Sequence, residues 1–518
     1  MIIDIIIILA YFAVIMAVGV YKRVTTKTSP EEYFLNSRSL RWPSIAISTI
    51  ATNIHAGHFL GMAGSAYLFG LAQANLEINA ITGILIAAFF FVPLYLKERI
   101  TTISEFFEIY LGHRVAITYS ILMIILYSFV FVGSILFWGA YAINAIFDSS
   151  IQFIHHDPMT RIFIIAIFLG LFSATYTFLG GLGAVVRTDL IQFVLLTAGG
   201  LVLLVLSLQE SGGWGMLYEK SGNLMHLHLP SEHHYLPWPA LIGIFLLNLN
   251  YWGANQIILQ RAIAAKNLFH AQVGLIVGGF LKYLMAAIVI LPAIALAGIL
   301  INNPLKDPDL AYTTIVNKLI PVGLRGLILC GLFASLMSSV DSIFHSVSTL
   351  WSIDIYKKYI NPNADGHAVV KFGRATIFLT LATGIMFAWI NIYVKFENPD
   401  FALTHWFNEV SYFAKNGFVL LIICAVFLIS PSKNLVFYVL LGSIVINVIL
   451  KWLFPEMNYF NRSTIVIAVT SLIVAIPTWQ KSGFQHSWKE LITISDPKVV
   501  QLAIALLLSL IGCHIIFH

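Results

Sequence analysis

Apolar runs of about twenty residues follow one another along almost the whole chain, and they limit what it can fold into. A membrane-spanning helix needs about 20 mostly apolar residues. Fourteen stretches qualify, at roughly 2–21, 43–69, 72–96, 117–147, 160–179, 184–207, 238–260, 268–301, 322–353, 372–394, 404–430, 434–453, 463–479 and 498–517. Hydrophobic residues make up 59% of the 518 and charged residues 10%, whereas a soluble domain carries about a quarter charged residues. In lipid each backbone polar group must be satisfied within the segment, which favours helices. The sequence therefore predicts an all-α polytopic membrane protein with about fourteen transmembrane helices. The first run lacks a basic start and an A-x-A cleavage site and reads as a retained helix, not a signal peptide. No linker or charge run marks a second domain.

Basic residues set an orientation, because cytoplasmic loops are enriched in Lys and Arg. With the N-terminus outside, nineteen Lys and Arg fall in inside loops and eight in outside loops. Both termini are thus expected outside, in a plasma or bacterial inner membrane. The net charge of +5 follows from this bias and gives no reason to invoke nucleic acid.

Two segments are not plain. One contains Asn53-Ile-His-Ala-Gly-His58, followed by Gly61 and Gly64; the other contains Asn248-Leu-Asn-Tyr-Trp-Gly253. Paired interrupted helices in corresponding halves of a chain point to the binding site of a transporter. Irregular backbone at membrane depth is tolerated only where it is buried in protein or lines a cavity.

Few ionisable residues lie within the apolar segments: Glu77, Asp189, Lys282, Asp341, Glu409 and Lys415. Such residues are costly in lipid and mark pathways. Lys415 and Glu409 read as lying near helix ends or pairing within the bundle. Glu77 and Lys282 sit on segments next to the interrupted ones. A carboxylate accepts hydroxyl protons and an ammonium donates to hydroxyl oxygens, which suits a neutral sugar or polyol; a charged substrate would more naturally meet one unpaired opposite charge. Ser335, Ser338, Asp341, Ser342 and His345 share one helical face by their spacing. Oxygen ligands suit a hard cation; a face of small residues for helix packing is the plainer alternative. Cys330, Cys424 and Cys513 have no metal or redox spacing. His226, His228, His233 and His234 read as part of a solvated outside loop rather than a zinc site, and Asn461-Arg-Ser463 is only a weak glycosylation pattern. No nucleophile elbow, metal motif or phosphate loop suggests an enzyme.

The chain resembles the sodium:solute symporter family, near its sodium/glucose and sodium/galactose branch. The resemblance rests on Asn53-Ile-His-Ala-Gly-His-Phe-Leu-Gly-Met-Ala-Gly64, Gly180-Gly-Leu-Gly-Ala-Val-Val-Arg-Thr-Asp189, Asn248-Leu-Asn-Tyr-Trp-Gly-Ala-Asn-Gln256, Gln260-Arg261, Phe280-Leu-Lys282, Ser338-Ser339 and Ser348 to Lys358. It implies a leucine-transporter-like core of two inverted five-helix repeats, at 43–207 and 238–430, after an extra N-terminal helix and loop at 1–42. An extracellular loop at 208–237 joins them and further helices follow at 431–518. It implies sugar ligands at Asn53, His58, Glu77, Asn248 and Lys282, with Tyr251 stacking under the ring beside Trp252. A sodium site would use carbonyls of Ala51, Ile54 and Ser335 and hydroxyls of Ser338 and Ser339. A second would use Asp189, Ser338, Asp341 and Ser342.

There are departures from the family pattern. Asn408 stands where a sugar-binding glutamine is expected, and Leu76 where one relative has a gate tyrosine. His55 beside the unwound turn reads as a packing residue. The function implied is sodium-coupled import of a hexose or myo-inositol by alternating access, with sodium as the co-transported ion, no organic cofactor and no obligate protein partner. The alternatives are a symporter for sialic acid, an anion or an amino acid, against which the Glu77 and Lys282 pair argues, and a membrane sensor on the same fold.

Overall fold

A computed structural model describes the chain except residues 1, 22–27, 56, 149–150, 234, 322, 399–402 and 483–494. Lys22, Arg23, Lys27, His234 and Lys489, each used in the sequence argument, lie outside the described residues. The described residues form helices and connecting loops, with one isolated bridge between Leu40 and Ala265.

Among the described residues eleven helical stretches are long and apolar enough to cross a membrane. The difference from fourteen has a physical cause. The stretch 58–97 is interrupted at Gly70–Ala74, where Gly70 takes φ +66°. Pro158–Ser211 runs 54 residues, which would make a rod of about 80 Å at 1.5 Å per residue, far beyond the ~30 Å of a bilayer core. It turns sharply at Gly181, with φ 57° and ψ −154°, between the two segments expected at 160–179 and 184–207. Ala240–Gly253, at 14 residues, is too short to count alone.

Burial orders the bundle. The apolar 18-residue window within 324–360 is 94% buried, whereas those of Ile3–Val20 and Pro497–Ile516 are 22% buried. The serine-bearing helix Leu324–Thr349 is therefore central, packed against Pro158–Ser211, Trp42–Asn53 and Ile2–Val20. The outer helices present large apolar side chains such as Leu9, Val448, Ile449, Leu508 and Ile511 to the surroundings, as lipid-facing helices do when no charge is exposed.

Both expected interruptions are present, one displaced. The helix Trp42–Asn53 ends at Ile54, which is extended at φ −96° and ψ 114°, and the chain resumes helix at 57–58. The second break is not within 248–253. Those residues stay helical to Gly253, and the break falls at Ala254–Asn255 before Gln256–Ile263. Asn255 explains the shift: it is extended and its side chain caps the following helix by accepting from the Ile257 N–H at 3.0 Å. Asparagine is among the best N-cap residues.

Gly181 carries a direct test of the long-helix turn. A Cβ there would lie 2.6 Å from the Tyr33 carbonyl oxygen, and φ is positive. Gly181→Ala is expected to cost roughly 1–3 kcal/mol through backbone strain, read as a lower unfolding temperature; an unchanged midpoint would show that the turn relaxes elsewhere.

Candidate functional site

At the second break two backbone oxygens and the Asn255 side chain are met by three buried tyrosines. Tyr95 donates to the Gly253 carbonyl and Tyr119 to the Ala254 carbonyl, both at 2.5 Å, and Tyr127 donates to Asn255 Oδ1 at 2.7 Å. A buried carbonyl without a partner costs about 1–3 kcal/mol. The sequence reading missed all three. Their signal was a polar tip recurring in otherwise apolar segments, and nothing in those segments said what it meets.

At the first break the partners are histidine and serine. His55 Nδ1 accepts from the Gly57 N–H and His58 Nδ1 from the His55 N–H, each at 3.1 Å. With Nδ1 an acceptor, the proton of His58 sits on Nε2, which lies 3.3 Å from Glu77 Oε1. His55 thus shapes the unwound turn instead of merely packing. From Glu77 a polar chain runs inward. Its Oε2 lies 2.6 Å from Lys282 Nζ; Lys282 also donates to Asn53 Oδ1; Asn53 Nδ2 donates to the Tyr251 hydroxyl at 2.6 Å. Glu77, Lys282 and Asn53 are each 5% exposed or less, so the ion pair is desolvated, a state tolerable only when both charges are hydrogen-bonded.

These residues face a cavity of about 230 Å³. That is below the roughly 300–1,000 Å³ of pockets for drug-sized ligands, so the cavity fits a small molecule. Asn53, His58, Glu77, Asn248, Tyr251, Trp252, Lys282 and Asn408, the complete set expected from the sequence, all line it, as do Leu76 and His55. Asn248 Nδ2, Asn250 Oδ1 and Trp252 Nε1 are buried without a hydrogen-bond partner among the described residues. Tyr251 and Trp252 meet edge to face at 5.5 Å. Gln73 and Tyr235 were not foreseen. Tyr235 stacks on Phe69 at 4.4 Å, donates to Gln73 Oε1 at 3.2 Å and lines the same cavity.

The opposite side of the first break meets the central helix. Ser339 Oγ lies 2.9 Å from the Thr52 carbonyl oxygen, 3.4 Å from that of Ile54 and 3.0 Å from that of Ser335. Ala51, one residue before Thr52, is buried. Ser338, grouped with Ser339 in the sequence reading, instead donates to Asp189 Oδ1 at 2.5 Å.

The remaining set, Asp189, Ser338, Asp341 and Ser342, does assemble, around a group not expected there. Arg261, which falls just past the segment expected at 238–260 and so among the inside-loop cations, is 1% exposed. Its guanidinium lies 3.2 Å from Asp189 and donates to Ser342 at 2.5 Å and to Thr52 and Ser48 at 2.6 Å. Asp341 accepts from Tyr176 at 2.6 Å. Asp189 therefore pairs with Arg261, not with Arg187, its sequence neighbour. No cluster of three or more His, Cys, Asp or Glu suited to a metal occurs among the described residues.

The family model for the sodium:solute symporter family matches residues 33–433. The chain belongs to the sodium:solute symporter family. It is 32% identical over 416 residues to a sodium/glucose cotransporter of Vibrio parahaemolyticus, covering 74% of each chain. It is 32% identical over 431 residues to sodium/glucose cotransporter 1 of Ovis aries, and 32% identical over 426 residues to sodium/myo-inositol cotransporter 2 of Oryctolagus cuniculus, with 75% of this chain matched in both. The match spans 63% of the sheep relative and 61% of the rabbit one. The fold is shared with the solved outward-open, substrate-bound state of a Na+-coupled sialic acid symporter, with a TM-score of 0.79 at 19% identity, covering 94% of this chain and 99% of that one. The expected leucine-transporter-like architecture is the one found.

Breaking a buried ion pair by removing one partner costs roughly 3–5 kcal/mol. Arg261→Met is expected to lower the unfolding midpoint by that scale, and adding Asp189→Asn to recover part of the loss. Equal midpoints for Arg261→Met and the native protein would contradict the pairing.

Proposed function

We propose that the protein is a sodium-coupled symporter that imports a small polyhydroxylated solute, a sugar or polyol, by alternating access. One observation carries this reading. Residues 52–54 serve two sets of partners at once: their carbonyls meet Ser339, and the Asn53 side chain meets Lys282 and Tyr251.

Sodium is assigned to the oxygens of Ala51, Ile54, Ser335, Ser338 and Ser339. The ion would bridge the first broken helix to the central one and favour the outward-open state. A ligand shifts alternation only by its different affinity for the two states. The inward sodium gradient then drives the cycle, and each charge moved across 100 mV adds about 2.3 kcal/mol. The solute's hydroxyls would meet Glu77, Lys282, His58, Asn248 and Asn408, with the Tyr251 ring beneath it. The repeats at 43–207 and 238–430 would rock about this site, in a cell membrane with both termini outside. The relatives named for glucose and myo-inositol support the solute class.

Arg261 bears on stoichiometry. A guanidinium already neutralises Asp189, so we assign one sodium per solute with Arg261 in place. The oxygens of Asp189, Ser338, Asp341 and Ser342 take a second sodium only when it withdraws. Paired isotope fluxes are expected to give a ratio of one; a native ratio of two would overturn this assignment.

Uptake into proteoliposomes is expected to stop when sodium is replaced by potassium; uptake that continues without any ion gradient would exclude symport. Glu77→Ala and Lys282→Ala each strip a partner from a buried hydroxyl at roughly 1–3 kcal/mol. Solute affinity should then fall by about tenfold or more, since 1.4 kcal/mol is one decade. Tyr251→Phe should be mild and Tyr251→Ala severe; the reverse order would mean that the hydroxyl carries the role instead of the ring.

A further inference from the structure

The charges facing the cavity do not cancel. Glu77 and Lys282 are paired at 2.6 Å. His55 and His58 each accept a backbone N–H at Nδ1, so neither is doubly protonated. Lys415 is left over. It lines the same cavity with Asn408 and Tyr412, and its Nζ lies 4.8 Å from the Phe131 ring centroid and 5.1 Å from that of Tyr412. From the sequence, Lys415 is expected to lie near a helix end or pair within the bundle, and the solute is expected to be neutral from the Glu77 and Lys282 pair. Among the described residues it has no carboxylate partner. The carboxylate on its own helix, Glu409, is held by Arg462 and by Lys451 at 2.6 Å.

Two aromatic faces attract an ammonium electrostatically through their rings. They do not satisfy its N–H donors, and a cation inside a membrane protein without a counter-charge marks a ligand path. Among the described residues an ammonium at Lys415 has no counter-charge in the cavity, because Glu77 is matched by Lys282. The rest of the lining selects among anions. A halide would leave the hydroxyl-binding groups Asn53, Asn248 and Trp252 Nε1 unused. An amino acid would need a free carboxylate for its ammonium, and Glu77 is committed to Lys282.

We infer that the solute is a sugar acid, a polyhydroxylated molecule with one carboxylate that pairs with Lys415 while its hydroxyls occupy the Glu77–Lys282 end. Glu77, Lys282 and Lys415 line one cavity of about 230 Å³, so one small molecule can reach both ends. This rests on the cavity being the solute site. With one sodium per solute, import of such a monoanion moves no net charge.

Competition binding to the purified full-length protein in sodium tests it, using D-glucose with D-glucuronate and D-galactose with D-galacturonate. The native protein is expected to bind a uronate at least tenfold more tightly than its neutral hexose. In K415M that preference should fall to about one, and in K415R it should persist. A native protein that binds hexoses as tightly as uronates, or a K415M that keeps the acid preference, overturns the inference and leaves sugar symport standing; the lysine is then held by its rings alone. If K415M does not fold, the native preference and K415R decide it. A native protein that binds neither class overturns the solute-site reading and this inference with it.

Discussion

Inside a bilayer, a helix that unwinds frees carbonyl and amide groups that water cannot reach, and each must find a partner from the protein or a ligand. This chain unwinds twice, and the rest of its architecture is arranged around those two places. At Ala254–Asn255 the partners are permanent: Tyr95, Tyr119 and Tyr127 close off the oxygens at 2.5–2.7 Å. At Ile54–His55 the partners are of two kinds. Histidine rings meet the amides, while carbonyl oxygens of Thr52 and Ile54 turn toward a single hydroxyl, Ser339. One break is therefore fastened and the other is left with oxygens to offer, which suits a hard cation.

The polar side chains follow the same logic. Buried charges persist only when paired and hydrogen-bonded. Glu77 with Lys282 and Asp189 with Arg261 meet that condition from helices distant in sequence. Each pair touches the first broken helix, one through Asn53 and the other through Thr52 and Ser48. A change at either pair is thus transmitted to the same short turn. Lys415 departs from the rule, and a group in violation of it facing a cavity is where a ligand's own charge belongs.

Much of this was legible in the sequence, for reasons that differ between residues. The apolar runs fixed the class because a bilayer core sets a length. The first break was readable from His55, Gly57 and His58 clustered in an apolar segment. The second was misplaced toward 248–253 because Asn248, Asn250 and Gly253 carry the same composition signal as Asn255, yet only Asn255 caps the next helix. The cavity residues were found through the family resemblance, which transfers positions but not pairings. Arg261 was read as a loop cation because it falls just past the apolar run at 238–260, and its burial depends on Asp189, some seventy positions away. The tyrosines and Lys415 depend likewise on contacts between distant helices, which one sequence without alignment does not carry.

The account's central claim is that one unwound turn serves ion and solute together, so binding of one must favour the other. Calorimetric titration of the tightest-binding sugar or sugar acid, in sodium and then in potassium, measures this coupling directly. Allosteric coupling is typically about 5- to 150-fold in affinity. The account predicts a gain in that range with sodium in the native protein, and its loss in Ser339→Ala with potassium-state affinity retained. Equal solute affinity in sodium and potassium would contradict it.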